Sequence, residues 1–376
     1  MSDKNIPGHL FNSLNERQQK GTLRKLTTHF PSIDFCSNDY LGFSKLGLLS
    51  KKLETLNVKQ ETIYGSTGSR LISGNSIFIE EAEKQITLFH HAESALLFNS
   101  GYDANLGFFS SVPQKEDLVL YDELIHASVH DGIKLGRAKH FKFAHNNIAA
   151  LNDLIQRHQE FQNIYIIVES VYSMDGDNAP LVEIIELIKD FETIFLIVDE
   201  AHAIGVFGNQ GRGLCNELGI EDKCFARIYT YGKAMGCHGA AIVGSNVLRN
   251  YLINFARSFI YTTALPNHCI HAILGAYQLL IETHQQQILQ NNISYFYKSS
   301  SGIKHKIESH SAIQSIVAGN NEMADELEKK LVEKNIYAKA IKSPTVKPGT
   351  ERVRFCIHAF NTKEEIDLLI QILSDF

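Results

Sequence analysis

Six short runs of almost unbroken apolar residues govern what this 376-residue chain can fold into. They are ALLF (95–98), LVLY (118–121), YIIVE (165–169), IFLIVD (194–199), RIYTY (227–231) and GAAIVG (239–244). Strands buried on both faces read as continuous apolar runs of this kind. Helix-like segments such as PLVEIIELIKDF (180–191) lie between most of them. Strands alternating with helices predict an α/β fold on a mainly parallel sheet.

The pattern changes near Leu265–Pro266. Residues 267–295 read as one long helix. AIQSIVAG, NNEMADELEKKLVEKN, IYAKAI, RVRFCIHA and TKEEIDLLIQIL then read as strand, helix, strand, strand and helix. Thr362 and Glu365 have the spacing of a capping box. The expected division is a polar arm over 1–45, a large sheet domain over 46–265 and a smaller C-terminal α/β domain over 266–376, with a cleft between the last two.

Composition narrows the partners. The formal net charge of −6 gives no electrostatic reason to expect nucleic acid. No apolar run approaches the ~18 residues of a membrane helix. The start, MSDKNIPGHLFNSL, has no signal-peptide pattern. Six cysteines at 36, 215, 224, 237, 269 and 356 form no C-x-x-C pair, which suits free thiols in a reducing compartment. The expectation is a cytoplasmic protein with no membrane and no nucleic-acid partner.

In an open α/β sheet, functional groups collect beyond the carboxyl ends of the strands. Asp199 ends an apolar run, where it serves either as a helix N-cap or as the partner of a cation. The D-E-A-H that it opens also occurs in nucleotide-driven motors, but G-x-x-x-x-G-K-[ST] is absent. Lys233 follows RIYTY among small residues. It is either a solvated surface lysine or a desolvated amine that attacks an aldehyde. Asn99–Asp103 (NSGYD) is a tight turn or an anion-binding helix start. His126 and His130 are four apart, but residue 127 is Ala, so the H-E-x-x-H zinc pattern fails. His126 is then a packed imidazole or one lying flat on an aromatic ring. Taken together, an anion-binding turn, an imidazole, a carboxylate and a lysine at successive strand ends suit a phosphorylated aromatic aldehyde. The lysine would hold it as an imine, and the carboxylate would pair with its ring nitrogen.

The segments SNDYLGF (37–43), YGSTGSRLISGN (64–75), NSGYDAN (99–105), IHAS (125–128), ESVYSMDGD (169–177), DEAHAIG (199–205), TYGKAMGCHGA (230–240) and FIYTTALP (259–266) carry a resemblance. In this order they are similar to the α-oxoamine synthases. Those are fold-type-I pyridoxal-phosphate transferases that join an amino acid to an acyl thioester and lose carbon dioxide. The resemblance implies a large, mainly parallel seven-stranded-type sheet domain plus a smaller C-terminal α/β domain. The cofactor implied is pyridoxal 5'-phosphate, with Lys233 as its anchor and proton carrier. His126 stacks on the ring, Asp199 holds the ring nitrogen and His202 bonds the ring hydroxyl. Gly101 and Tyr102 meet the cofactor through their backbone; Ser173 and Thr230 also contact it, the latter at the phosphate. Arg24, Asn38, His126, Thr345 and Arg354 meet substrate, with Arg354 as the carboxylate clamp. Thr262 and Thr263 reach the phosphate of a neighbouring subunit, which implies a homodimer with shared active sites.

SAIQSIVAG (311–319) and SPTVKPGTERVRF (343–355) are similar to family members that take L-alanine and pimeloyl-CoA or pimeloyl-acyl carrier protein. The rivals are glycine with acetyl-CoA, ordinary transamination, and a non-catalytic scaffold. HFPSIDF makes the arm before SNDYLG shorter than is usual in the family.

Overall fold

The apolar runs all become strands. The computed structural model describes residues 6–28, 30–55 and 64–376; Met1–Asn5 of the polar start and His29 of HFPSIDF lie outside the described residues. The strands described are β1 (Ile33–Asp34), β2 (Ser94–Phe98), β3 (Leu118–Asp122), β4 (Lys139–Phe143), β5 (Ile164–Glu169), β6 (Ile194–Asp199), β7 (Ala226–Thr230), β8 (Ala240–Gly244), β9 (Ile313–Val317), β10 (Ile336–Tyr337), β11 (Lys339–Ile341) and β12 (Arg352–Cys356).

Seven of them form one sheet in the order β2-β8-β7-β6-β5-β3-β4. Only β8 runs against its neighbours; the other pairings are parallel. Successive side chains of a strand point to opposite faces, and here both faces are covered. Ile166, Val168, Leu196 and Val198 enter one apolar layer. Ile167, Ile197 and Ile228 enter the other. This two-sided burial is why these strands read as unbroken apolar runs.

β4 was not expected. Its sequence, KHFKF, is mostly exposed, because it forms one edge of the sheet. Charged residues on an edge discourage pairing with another chain, and they also hide the strand from an apolar reading.

The region past the sheet differs in two details from expectation. The single helix expected over 267–295 is two, Asn267–Glu282 and Gln285–Ser299. Thr283 is extended at the break, where its N–H and its hydroxyl both donate to the Leu279 carbonyl. IYAKAI also splits. β10 pairs with β1 in parallel, while β11 joins β12 and β9 in a three-stranded antiparallel sheet. The Thr362–Glu365 capping box is present at the start of Lys363–Ser374.

The supposedly polar arm is polar only at first. Gly8–Gln19 is a helix with no buried residue. Phe35, Tyr40, Leu41 and Phe43 are fully buried. Burying each such side chain contributes about 1.5–3 kcal/mol, so SNDYLGF is part of the core.

The small sheet meets the large one through the SMDGD loop after β5. Ser309 and Ser315 donate to the carbonyls of Gly176 and Met174 at 2.8 and 2.7 Å, and Arg352 forms an ion pair with Asp175. Gly176 has φ +77°, and a Cβ there would lie 2.2 Å from the Ile313 carbonyl oxygen. Only glycine allows this approach.

Candidate active site

The parallel pairing of β5 and β6 sets Glu169 beside Asp199, each the last residue of its strand. Both carboxylates are buried. Asp199 accepts from the Ala201 N–H at 2.9 Å and from Asn105 Nδ2 at 2.9 Å. Asn105 stands on the helix Gly101–Ser111 and also donates to the Ser128 hydroxyl at 3.0 Å. That hydroxyl lies 2.7 Å from His126 Nδ1, which also accepts the Ser128 N–H. A chain of hydrogen bonds thus holds Asp199, Asn105, Ser128 and His126 in one arrangement. Burial pushes the His126 imidazole below the usual histidine range, and Lys233 adds to this while Asp199 opposes it.

His202 sits one turn beyond Asp199. Its Nδ1 lies 2.7 Å from the Tyr40 hydroxyl, so the buried SNDYLGF segment orients this ring. Burial, assisted by Lys233, pushes His202 well below the usual range. Both imidazoles are therefore neutral at pH 7, which suits contact with an aromatic ring and its substituents better than an ion pair.

Lys233 lies three residues past the end of β7. Its amine has no hydrogen bond or ion pair among the described residues. Burial lowers it from the ordinary lysine value, partly offset by Asp199 and Glu169. A lysine left without a partner and depressed in this way is a nucleophile toward carbonyl carbon.

The opposite end of the site is built for an anion. The helix Gly101–Ser111 points its first turn at it, and Ser100 caps only the Asp103 N–H. The N–H groups of Gly101 and Tyr102 are left free for a ligand. A Cβ on Gly101 would lie 2.3 Å from Thr230 Cγ2. Thr230 is buried, yet its hydroxyl has no partner within the described residues. A buried hydroxyl without a partner costs free energy unless a ligand completes it.

These groups line one cleft, together with Asn38, Glu169 and His238. Carboxylate, two neutral imidazoles and a free amine at one end, with an anion cradle at the other, fit a flat aldehyde that carries a ring nitrogen and a phosphate.

Arg354 of β12 closes the side toward the small sheet. Its Nε donates to the Ser173 carbonyl at 2.7 Å and its Nη2 to Asn38 Oδ1 at 2.9 Å. The structure therefore brings Asn38, Ser173 and Arg354 together at the rim. It does not bring the remaining expected residues to this cleft. Arg24 and Thr345 are exposed and do not line it. Lys342 donates to the Gly21 carbonyl at 3.2 Å, which ties their two segments to each other. Thr262 lines a separate small cavity, where Asn99 Nδ2 donates to its hydroxyl at 2.9 Å and to the Thr263 carbonyl at 2.8 Å.

Reading the sequence missed Tyr40, Asn105, Ser128, Glu169 and His238 as site residues. All five lie inside segments that carried the family resemblance, which was the available signal. Glu169 is the most unusual of them. Its Oε1 has no hydrogen-bond partner among the described residues, and burial followed by the Asp199 charge pushes its carboxyl up to about 8. It carries a proton at neutral pH.

Comparison with known proteins agrees with this geometry. Residues 31–373 match the model of the family described as aminotransferase class I and II. The chain is 42% identical to 8-amino-7-oxononanoate synthase of Emericella nidulans, over 99% of this chain and 96% of that one. It is 38% identical to 8-amino-7-oxononanoate synthase 2 of Bacillus subtilis, over 89% and 85%. The solved 8-amino-7-oxononanoate synthase of Francisella tularensis superposes with a TM-score of 0.78 at 32% identity, covering 91% of this chain and 97% of that one. Serine palmitoyltransferase of S. paucimobilis shares the fold, with a TM-score of 0.87 at 24% identity over 98% and 96%. Over nearly its whole length, then, the chain belongs to the class I and II aminotransferase family, in the α-oxoamine synthase branch that contains the 8-amino-7-oxononanoate synthases.

Proposed function

We propose that this chain condenses L-alanine with a pimeloyl thioester, carried on coenzyme A or an acyl carrier protein. The products are 8-amino-7-oxononanoate, carbon dioxide and the free thiol, which makes the reaction a step of biotin synthesis. The observation that carries the reading is the unpartnered Lys233 amine in a cleft whose floor is Asp199 and whose far end is an anion cradle. The likeness to named 8-amino-7-oxononanoate synthases over nearly the whole chain supports the choice of substrates.

Pyridoxal 5'-phosphate, when bound, supplies an electron sink for negative charge at the amino-acid Cα. Lys233 would anchor it, and Asp199 would keep its ring nitrogen protonated. His126 would contact the ring and His202 the ring hydroxyl, and Ser173 would also contact the cofactor. Gly101, Tyr102 and Thr230 would hold the phosphate. Thr262 and Thr263 complete the phosphate site of a second subunit, so the working unit is a homodimer. The three segments 1–45, 46–265 and 266–376 serve as arm, cofactor domain and small domain.

The chain's own groups move the protons. Lys233 takes the alanine Cα proton, and its lowered proton affinity raises the share of amine in the basic form. After the carbon–carbon bond forms and carbon dioxide leaves, the same amine returns a proton to that carbon. Arg354 holds the alanine carboxylate in its planar fork, with Asn38 fixing the guanidinium. Arg24 and Thr345 are substrate contacts in this reading, from outside the cleft lining.

A paired assay tests the reading. The enzyme receives L-alanine with pimeloyl-CoA and, separately, glycine with acetyl-CoA, and thiol release is measured. Faster turnover of the first pair is expected. Faster turnover of the second would overturn the substrate assignment while leaving the cofactor chemistry in place.

A further inference from the structure

The two ends of the cleft differ in their supply of donors. The ring end has Asp199, His126, His202 and the Lys233 amine. The anion end has the amides at the start of Gly101–Ser111 and the unpartnered Thr230 hydroxyl. Among the described residues lining the cleft there is no arginine, and the single lysine is Lys233. A lysine bonded to the aldehyde carbon is not free to neutralise a phosphate dianion.

One more imidazole lines the cleft, that of His238. The end of a strand pairing places it. Thr230 of β7 pairs with Ala240 of β8, where the regular ladder stops. Just beyond, the Tyr231 N–H donates to the Gly239 carbonyl at 2.9 Å and the Tyr231 carbonyl accepts from the Cys237 N–H at 2.9 Å. His238 lies between those two bonds, next to the strand end that carries Thr230. Gly239 also backs onto β2: a Cβ on it would lie 3.5 Å from the Phe98 carbonyl oxygen, two residues before Ser100. His238 therefore stands between the turn that opens the helix and the strand end that carries Thr230. It is exposed, and its imidazole has no hydrogen bond or ion pair among the described residues.

We propose that His238 is a phosphate-binding residue of this chain, its ring N–H donating to the cofactor's phosphate ester beside Thr230 and the amides of Gly101 and Tyr102. The proposal rests on the pyridoxal-phosphate reading above and adds to it a donor outside the cradle already described. A hydrogen bond to a charged oxygen is stronger than one between neutral groups, so its removal reads out in affinity.

The test separates phosphate binding from ring binding. Full-length chain, His238→Ala and His238→Gln are freed of cofactor by dialysis. Each is titrated with pyridoxal 5'-phosphate and with pyridoxal, which lacks the phosphate, following visible absorbance. His238→Ala is expected to weaken pyridoxal 5'-phosphate about tenfold and pyridoxal less than about twofold. His238→Gln, whose amide still donates, should recover part of the loss. Equal weakening of both aldehydes, or of neither, would overturn the proposal. So would a raised KM for the acyl thioester with unchanged cofactor affinity. If the unsubstituted chain bound neither aldehyde, the cofactor reading would fall first and this proposal with it.

Discussion

The floor of the cleft and its rim are held in different ways. The floor is set by backbone pairing within one sheet: Glu169 beside Asp199, Thr230 across from Ala240, Gly101 packed on Thr230. The rim is set by side chains that cross from the small sheet to the large one. Arg354 reaches the Ser173 carbonyl and Asn38, Arg352 pairs with Asp175, and Ser309 and Ser315 reach the SMDGD loop. Register in a sheet buried on both faces does not slip easily, since a slip would unmake the close packing of both apolar layers at once. Side-chain bridges between two units can be remade one at a time. Under the proposed function, the difference teaches that the chemistry is invested where the fold is rigid, and substrate choice where it is adjustable.

The largest effect should come from the floor. Lys233→Ala should remove the visible absorbance of bound cofactor and lower turnover by at least about 10⁴-fold, since anchor and base are lost together. Absorbance and thiol release check the two losses separately. Turnover within tenfold of the unsubstituted enzyme would break the comparison at once.

At the rim, Arg354→Lys should act mainly on substrate binding. Lysine keeps a charge but loses the fork that spans carboxylate, Ser173 carbonyl and Asn38. Losing one charge-assisted bond predicts a KM for L-alanine raised roughly thirtyfold, with kcat changed less than about threefold. A fall in kcat at constant KM would place Arg354 with the chemistry and erase the distinction.

A third substitution tests whether the floor depends on backbone closeness. Gly101→Ala puts a methyl group 2.3 Å from Thr230 Cγ2. Cofactor affinity should fall about tenfold, the size of a modest steric displacement in a packed site. Adding Thr230→Ser removes the clashing methyl and keeps the hydroxyl, so the double variant should regain most of the loss. Failure of that rescue would show that Gly101 is needed for its own conformation and not for contact with Thr230.

What could be read in the sequence follows the same division. Floor residues end apolar strands, so Asp199 and Lys233 stand out against their neighbours. Asn105, Ser128 and Tyr40 do not, because their partners come from distant segments. Tyr40 is 162 residues from His202, and Asn105 is 94 from Asp199. No local pattern encodes such pairs. The edge strand β4 was hidden for a related reason: half exposed, it carries Lys139, His140 and Lys142 in place of an apolar run. Just past the break at Thr283, Gln285 and Gln286 donate to the distant carbonyls of Leu41 and Gly208, contacts that the amphipathic pattern over 267–295 does not contain.

The smallest effect concerns the loop that joins floor to rim. His145 lies 2.9 Å from Asp122, at the end of β3, and 2.7 Å from Asp177 of the SMDGD loop. Burial alone would lower its proton affinity, but the two carboxylates outweigh burial and lift it to about 9. A histidine raised from about 6.5 when unfolded stabilises the fold fully below that value and loses its contribution as pH rises toward 9. The unfolding temperature should therefore fall by about 2–4 °C between pH 6.5 and 9, and His145→Gln should flatten that decline. Glu169, lifted to about 8, contributes in the same direction, since it too binds its proton more tightly when folded. The double variant His145→Gln, Glu169→Gln separates the two groups. If only Glu169→Gln flattened the curve, the pH sensitivity would belong to the floor, and the loop would be a passive spacer between the two regions.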